Sequence, residues 1–162
     1  STEQQSTANR KLKLEQICRR TVDRMANELI EASYEHTIPI IEAPASTENI
    51  QYLTSLGFSD GKEVLSPLES ILLDPIKDQI MWVENPGSPT ERRIRLSGDV
   101  SKWMLGEEGE NLQDDNENLV VDEAGLALHV DERIVVIELT LEKVYDGQKI
   151  ATTHRAEVCF RN

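Results

Sequence analysis

The chain has 162 residues, enough for one ordinary domain that needs neither disulfides nor metal to be stable. A net charge of −13 argues against direct contact with nucleic-acid phosphates, and no apolar run reaches the 18 residues of a membrane-spanning helix. The opening STEQQSTANR is polar rather than signal-like, so neither membrane nor secretion is indicated, and its start without Met reads as a piece of a longer protein.

Cys18 and Cys159 read as small apolar packing residues in a reducing compartment, which places the chain inside the cell, in cytoplasm or nucleus. The charge is unevenly spread. Residues 1–35 carry six basic and six acidic groups, whereas Asp99 to Glu132 holds eleven acids against the single Lys102. A field of that sign favours a basic protein as partner.

Residues 9–34 have the clearest helical pattern. Leu14, Cys18, Val22, Met25 and Leu29 recur by threes and fours, with Ile17 and Ile30 widening the stripe. At 1.5 Å per residue this helix is about 40 Å long, more than one face of a small domain usually covers. It therefore either docks on its own sheet or meets a second chain. The expectation is self-association, with residues 1–35 as a dimerising coiled-coil-like helix and 36–162 as a separate α+β domain.

Pro39 and Pro44 force an extended connector, since proline lacks an amide proton and disfavours helix before it. A short helix is expected next, capped by Ser46 or Thr47, turned inward through Ile50, Leu53 and Leu56, and ended by Gly57. Within it, YLTSLGF resembles the Leu-Gly-Phe turn of ubiquitin-associated domains, which would imply ubiquitin binding. Ser66-Pro67-Leu68-Glu69 has the form of a capping box with proline at the first helical position, so a second short helix is expected there.

QIMWV (79–83) and RRIRL (92–96) read as strands around a Pro/Gly-rich loop. The run from Gly106 to Asn118 has almost no apolar content and the composition of an exposed, disordered loop. Beyond it, NLVVDEAGLALHV supplies one or two strands. Ile134–Val144 and Lys149–Phe160 then flank Asp146-Gly147, a type I′ turn signal, and predict a long antiparallel hairpin. A two-residue loop sets Val135 opposite Val158, Ile137 opposite Ala156 and Leu139 opposite His154, with Glu138 facing Arg155 on the other side. Thr140 then shares the solvent face of that charge pair. The fold expected is a long amphipathic helix, two short helices and a mostly antiparallel sheet ending in this hairpin.

Little in the chain points to chemistry. His154 and Cys159 form the closest Cys/His pair, but their odd separation turns them to opposite faces of one strand. His36 suits a helix C-terminus, and His129 falls in a strand. No CxxC, HxxxH or HExxH spacing occurs, and no glycine-rich phosphate loop. Asp114, Asn116 and Asn118 match the first ligand positions of an EF-hand, but Leu119 and Gly125 stand where its glycine and final glutamate belong. No catalytic, cofactor or metal site is expected.

Two tryptophans stand out beside methionines. Trp82 reads as core, and Trp103, in SKWML before the acidic run, as a candidate interface residue alongside the helix stripe. The function expected is non-enzymatic protein–protein interaction inside a larger intracellular complex, with homo- or hetero-oligomerisation through the helix. The alternatives are an acidic chaperone for basic proteins such as histones, and a small-molecule-binding domain or cryptic enzyme.

Overall fold

The computed structural model describes residues 2–37, 45–107, 109, 111–115, 117 and 123–161. The Pro39/Pro44 connector lies outside them, as do Asn116, Asn118 and Leu119 of the acidic run. The architecture is α+β. Among the described residues there is one α-helix, α1 (Thr2–Ile30), followed by a single 3₁₀ turn (Tyr34–His36) and ten strands.

Four strands, β1 (Ala45–Thr47), β8 (Leu126–Asp131), β9 (Ile134–Tyr145) and β10 (Gln148–Cys159), form one antiparallel sheet in the order β1-β8-β9-β10. A second has the order β2-β5-β6-β7, from β2 (Asn49–Tyr52), β5 (Glu69–Asp74), β6 (Gln79–Glu84) and β7 (Arg92–Ser97). The remaining two, β3 (Ser55–Ser59) and β4 (Lys62–Leu65), pair only with each other.

The β9–β10 hairpin has the predicted register throughout, including Val135 with Val158 and Glu138 with Arg155. Asp146 (φ 49°) and Gly147 (φ 79°) take the positive angles of the type I′ turn, which matches the strand twist and so fixes every pair beyond it. Arg155 Nε lies 3.6 Å from Glu138 Oε1.

Neither short helix expected between residues 46 and 75 exists. Ile50 and Tyr52 are both fully buried on β2, so the operative period there is two rather than three, and Leu56 falls on the next strand with its side chain largely in solvent. The capping-box residues bond across space instead. Ser66 Oγ accepts the Thr54 amide at 2.8 Å, and Glu69 Oε2 accepts the Thr54 hydroxyl at 3.1 Å. YLTSLGF enters β3, which removes the helical context that ubiquitin-associated domains require.

Helix α1 lies along the β9–β10 hairpin, its start near the hairpin tip and its end near Arg161, where Arg161 Nη1 meets Glu31 Oε2 at 2.9 Å. Leu14, Cys18, Val22, Met25 and Leu29 are buried and share one core with Val135, Ile137, Leu139 and Leu141 of β9 and with Ile50, Tyr52, Ile71 and Ile80 of the second sheet. Each such side chain contributes roughly 1.5–3 kcal/mol by leaving water, far more than helix propensity supplies. Apart from partly covered Thr7 and Arg10, residues 2–13 are exposed, so three turns project past the core.

The opposite face of the hairpin is not solvent at Thr140. Residues 99–105 cross it, and Thr140 is buried with its hydroxyl 2.8 Å from Thr153 Oγ1 and accepting the Leu105 amide at 3.3 Å. This overturns the expectation that Thr140 shares an open face with Glu138.

Candidate functional site

The most exposed apolar group in a strand belongs to the β3–β4 hairpin. Its tip is Asp60-Gly61 (φ 50° and 72°), again a type I′ turn, and its base is clamped by Ser66 N–H to Thr54 C=O at 2.8 Å. The Ser33 amide in turn donates to Leu53 C=O at 2.9 Å, which ties that base to the end of α1. The hairpin thus stands on a fixed foundation and reaches outward.

Between Ser55 and Phe58 the register slips by one residue, a bulge with Gly57 at φ +107°, an angle a side-chain-bearing residue would adopt only under strain. Around this bulge Leu56, Phe58 and Val64 are 64, 77 and 40 % exposed. A two-stranded ribbon is marginal on its own, and this one presents apolar side chains to solvent.

A cleft of about 290 Å³ lies where residues 101–107 cross the β9–β10 hairpin. Ser101 Oγ donates to Glu142 Oε2 at 3.0 Å, and Lys149 Nζ reaches the same oxygen at 3.0 Å. Half-buried Trp103 forms one wall, with the Lys102 ammonium 5.6 Å from its ring centroid. The hydroxyl, carboxylate and ammonium satisfy one another, and no histidine lines the cleft to activate Ser101 as a nucleophile.

A third cluster is structural. Tyr52 is fully buried and its hydroxyl accepts the Trp82 indole N–H at 3.2 Å. Burial, with Glu69 and Glu28 nearby, pushes the Tyr52 phenol far above its ordinary value. Glu69, on β5 directly opposite Tyr52 of β2 and Glu84 of β6, is raised chiefly by burial, with Glu28 and Glu84 adding to the effect. Trp82 packs against the core as expected.

Of the predicted interface residues, the helix stripe of Leu14, Cys18, Val22, Met25 and Leu29 faces the chain's own sheets, so a partner would reach it only by displacing them. Trp103 stands apart from that stripe, at the cleft. His154 is half-buried and Cys159 exposed on β10, while His129 Nε2 meets the buried Glu123 at 3.2 Å. His36 Nδ1 lies 3.0 Å from Ser33 Oγ. Among the described residues no three His, Cys, Asp or Glu side chains converge as metal ligands, and no helix is long and apolar enough to cross a membrane. Gly125, set at the EF-hand's last ligand position, packs against the Ser101 backbone.

The β3–β4 hairpin was missed by sequence reasoning, yet Asp60-Gly61 between SLGFS and KEVL carries the same signal that identified β9–β10. No protein-family model matches the chain, and no curated protein or solved structure is detectably similar to it.

Proposed function

We propose that this chain is a protein-interaction module of a larger assembly and that the β3–β4 hairpin is its recognition element. One observation carries the reading: Leu56, Phe58 and Val64 stay in water on a ribbon whose base is firmly tied to the domain. Aromatic and aliphatic anchors of this kind dominate interface energetics when a partner pocket encloses them.

The test is a photo-crosslinking side chain in place of Phe58, introduced into the chain in its source cell, with the same group at exposed Glu132 as reference. Discrete adducts from position 58 that excess unlabelled chain competes away, but Phe58→Ser chain does not, support the reading. Adducts no stronger than from position 132 overturn it. Because Phe58 is exposed, Phe58→Ser should shift stability by no more than about 0.5 kcal/mol.

A further inference from the structure

We infer that the open edge of β10 pairs with β10 of a second copy, antiparallel about a twofold axis through Thr153, joining two four-stranded sheets into one. This goes beyond the hairpin reading and stands on a different strand.

On β9, Thr140 sends its N–H to Gly125 C=O and its C=O to the Ser101 amide, and Glu142 sends its N–H to Asp99 C=O. These residues therefore bond away from β10, and their partners across the ladder, Thr153 and Ala151, bond away from β9. The backbone groups of Lys149, Ala151, Thr153, Arg155 and Glu157 all point to the outer edge. Among the described residues no strand but β9 pairs with β10. An edge twelve residues long is a template that a protein must either protect or use.

The side chains on that edge are self-complementary when Thr153 sits on the axis. With Thr153 opposite Thr153 of the second copy, Lys149, which also bridges Glu142 of its own chain, meets Glu157 of that copy, twice by symmetry, and Arg155 meets Ala151. On the other face Ile150 meets Ala156, and Thr152 meets His154. Centring the axis on Thr152 would instead set Lys149 against Arg155, and centring it on Arg155 would oppose two guanidinium groups. Opposite charges across strands stabilise and like charges destabilise, which favours the first of these three, and it overlaps the two strands further than a register centred on Ala156, which would set Arg155 against Glu157.

Burial on the edge agrees. Ala156 and His154 are only partly covered although their ladder partners Ile137 and Leu139 are fully buried. Helix α1 packs on the face of the hairpin, more closely along β10 than along β9, with Cys18 Sγ donating to Leu139 C=O and lying against the His154 backbone.

Sedimentation velocity of the full chain at tens of micromolar and 150 mM NaCl, where the net charge on each copy is screened, should give a dimer. Glu157→Lys should weaken it at least tenfold. Thr153→Cys in a Cys159→Ser background should form an intermolecular disulfide under mild oxidation, since hydrogen-bonded antiparallel pairs place Cα atoms about 5.5 Å apart. Ala151→Cys and Arg155→Cys chains should each stay uncrosslinked alone and crosslink when mixed. A monomer at 100 µM, or a dimer whose crosslinks from 153 and from the 151/155 mixture are no faster than from Glu132→Cys, overturns the inference.

Discussion

Gly125 and Ser101 meet backbone to backbone: the Gly125 amide donates to the Ser101 carbonyl at 3.1 Å, and a Cβ on Gly125 would overlap that same oxygen. The Ser101 amide donates to Thr140 C=O at 2.9 Å, and the Thr140 amide to Gly125 C=O at 2.7 Å, closing a ring of three segments far apart in sequence. Gly125→Ala must push the 99–101 segment off β9, at a cost of about 1–3 kcal/mol or more. Gly98→Ala, whose nearest neighbour is the tip of the Arg95 side chain at 3.8 Å, should stay near neutral. Urea melts of the two variants provide the comparison, and equal midpoints would refute the account.

Both faces of the β9–β10 hairpin are covered at Thr140, so Thr140→Asp and Ile137→Asp should each destabilise by several kcal/mol through burial of an uncompensated charge. Thr140→Val keeps the shape but strands the Leu105 amide and the Thr153 hydroxyl, and about 1–3 kcal/mol should be lost. Denaturant unfolding checks all three. A Thr140→Asp variant as stable as the parent would mean that residues 99–105 do not cover this face.

The cysteines should differ sharply in reactivity. Burial pushes the Cys18 thiol up to about 11 from an ordinary 9.0, whereas Cys159 is exposed. One thiol should react with a disulfide reagent in the native protein at pH 8, and the second only on unfolding. Because the raised value disfavours the thiolate in the folded state, Cys18 costs stability as pH climbs above 9, and Cys18→Ala should flatten that decline. Rapid reaction of both thiols would show that the helix opens readily.

Glu69 titrates above the ordinary carboxyl value of 4.5 because it is partly buried beside Glu28 and Glu84. The folded state thus holds the proton more tightly than the unfolded chain. Stability contributed by this group is present below pH 4.5 and is lost as pH rises through its folded value. Glu69→Gln should therefore gain on the parent as pH goes from 4 to 8 in chemical-denaturation midpoints. A constant difference across that range would remove the group from the linkage.

Removing residues 1–13 should leave a cooperatively folding chain, since the buried stripe begins at Leu14. Removing residues 1–30 strips the core of Cys18, Val22, Met25 and Leu29 and should abolish cooperative unfolding. Thermal melts followed by circular dichroism separate the two. Cooperative melting of the shorter chain would mean that the sheets fold without the helix.

The parts legible in the sequence were those with one dominant local constraint. Asp146-Gly147 pinned a register that then propagated along twelve pairs, and the stripe from Leu14 to Leu29 had a single period. The middle of the chain misled because its signals serve two structures. Ser66 and Glu69 fit a helix cap, but their side chains satisfy Thr54 instead, a contact that spacing within the motif cannot reveal. Ile50 and Leu53 fit a three-residue repeat only if Tyr52 is ignored, and it is Tyr52 that is fully buried. The partner of the helix stripe lay beyond reach for the same reason: an apolar stripe states that it will be covered, not by what.

Cys18 and Leu139 touch although 121 residues separate them, and this sets a timetable for biosynthesis. At about 5–20 residues per second the helix waits roughly 6–24 s after leaving the ribosome before the strands that cover it exist. Through that interval Leu14, Val22, Met25 and Leu29 present a greasy ridge to other chains emerging nearby. Basic and acidic side chains flank that ridge on the helix surface, so neutralising them should lower the yield of folded chain more than its final stability.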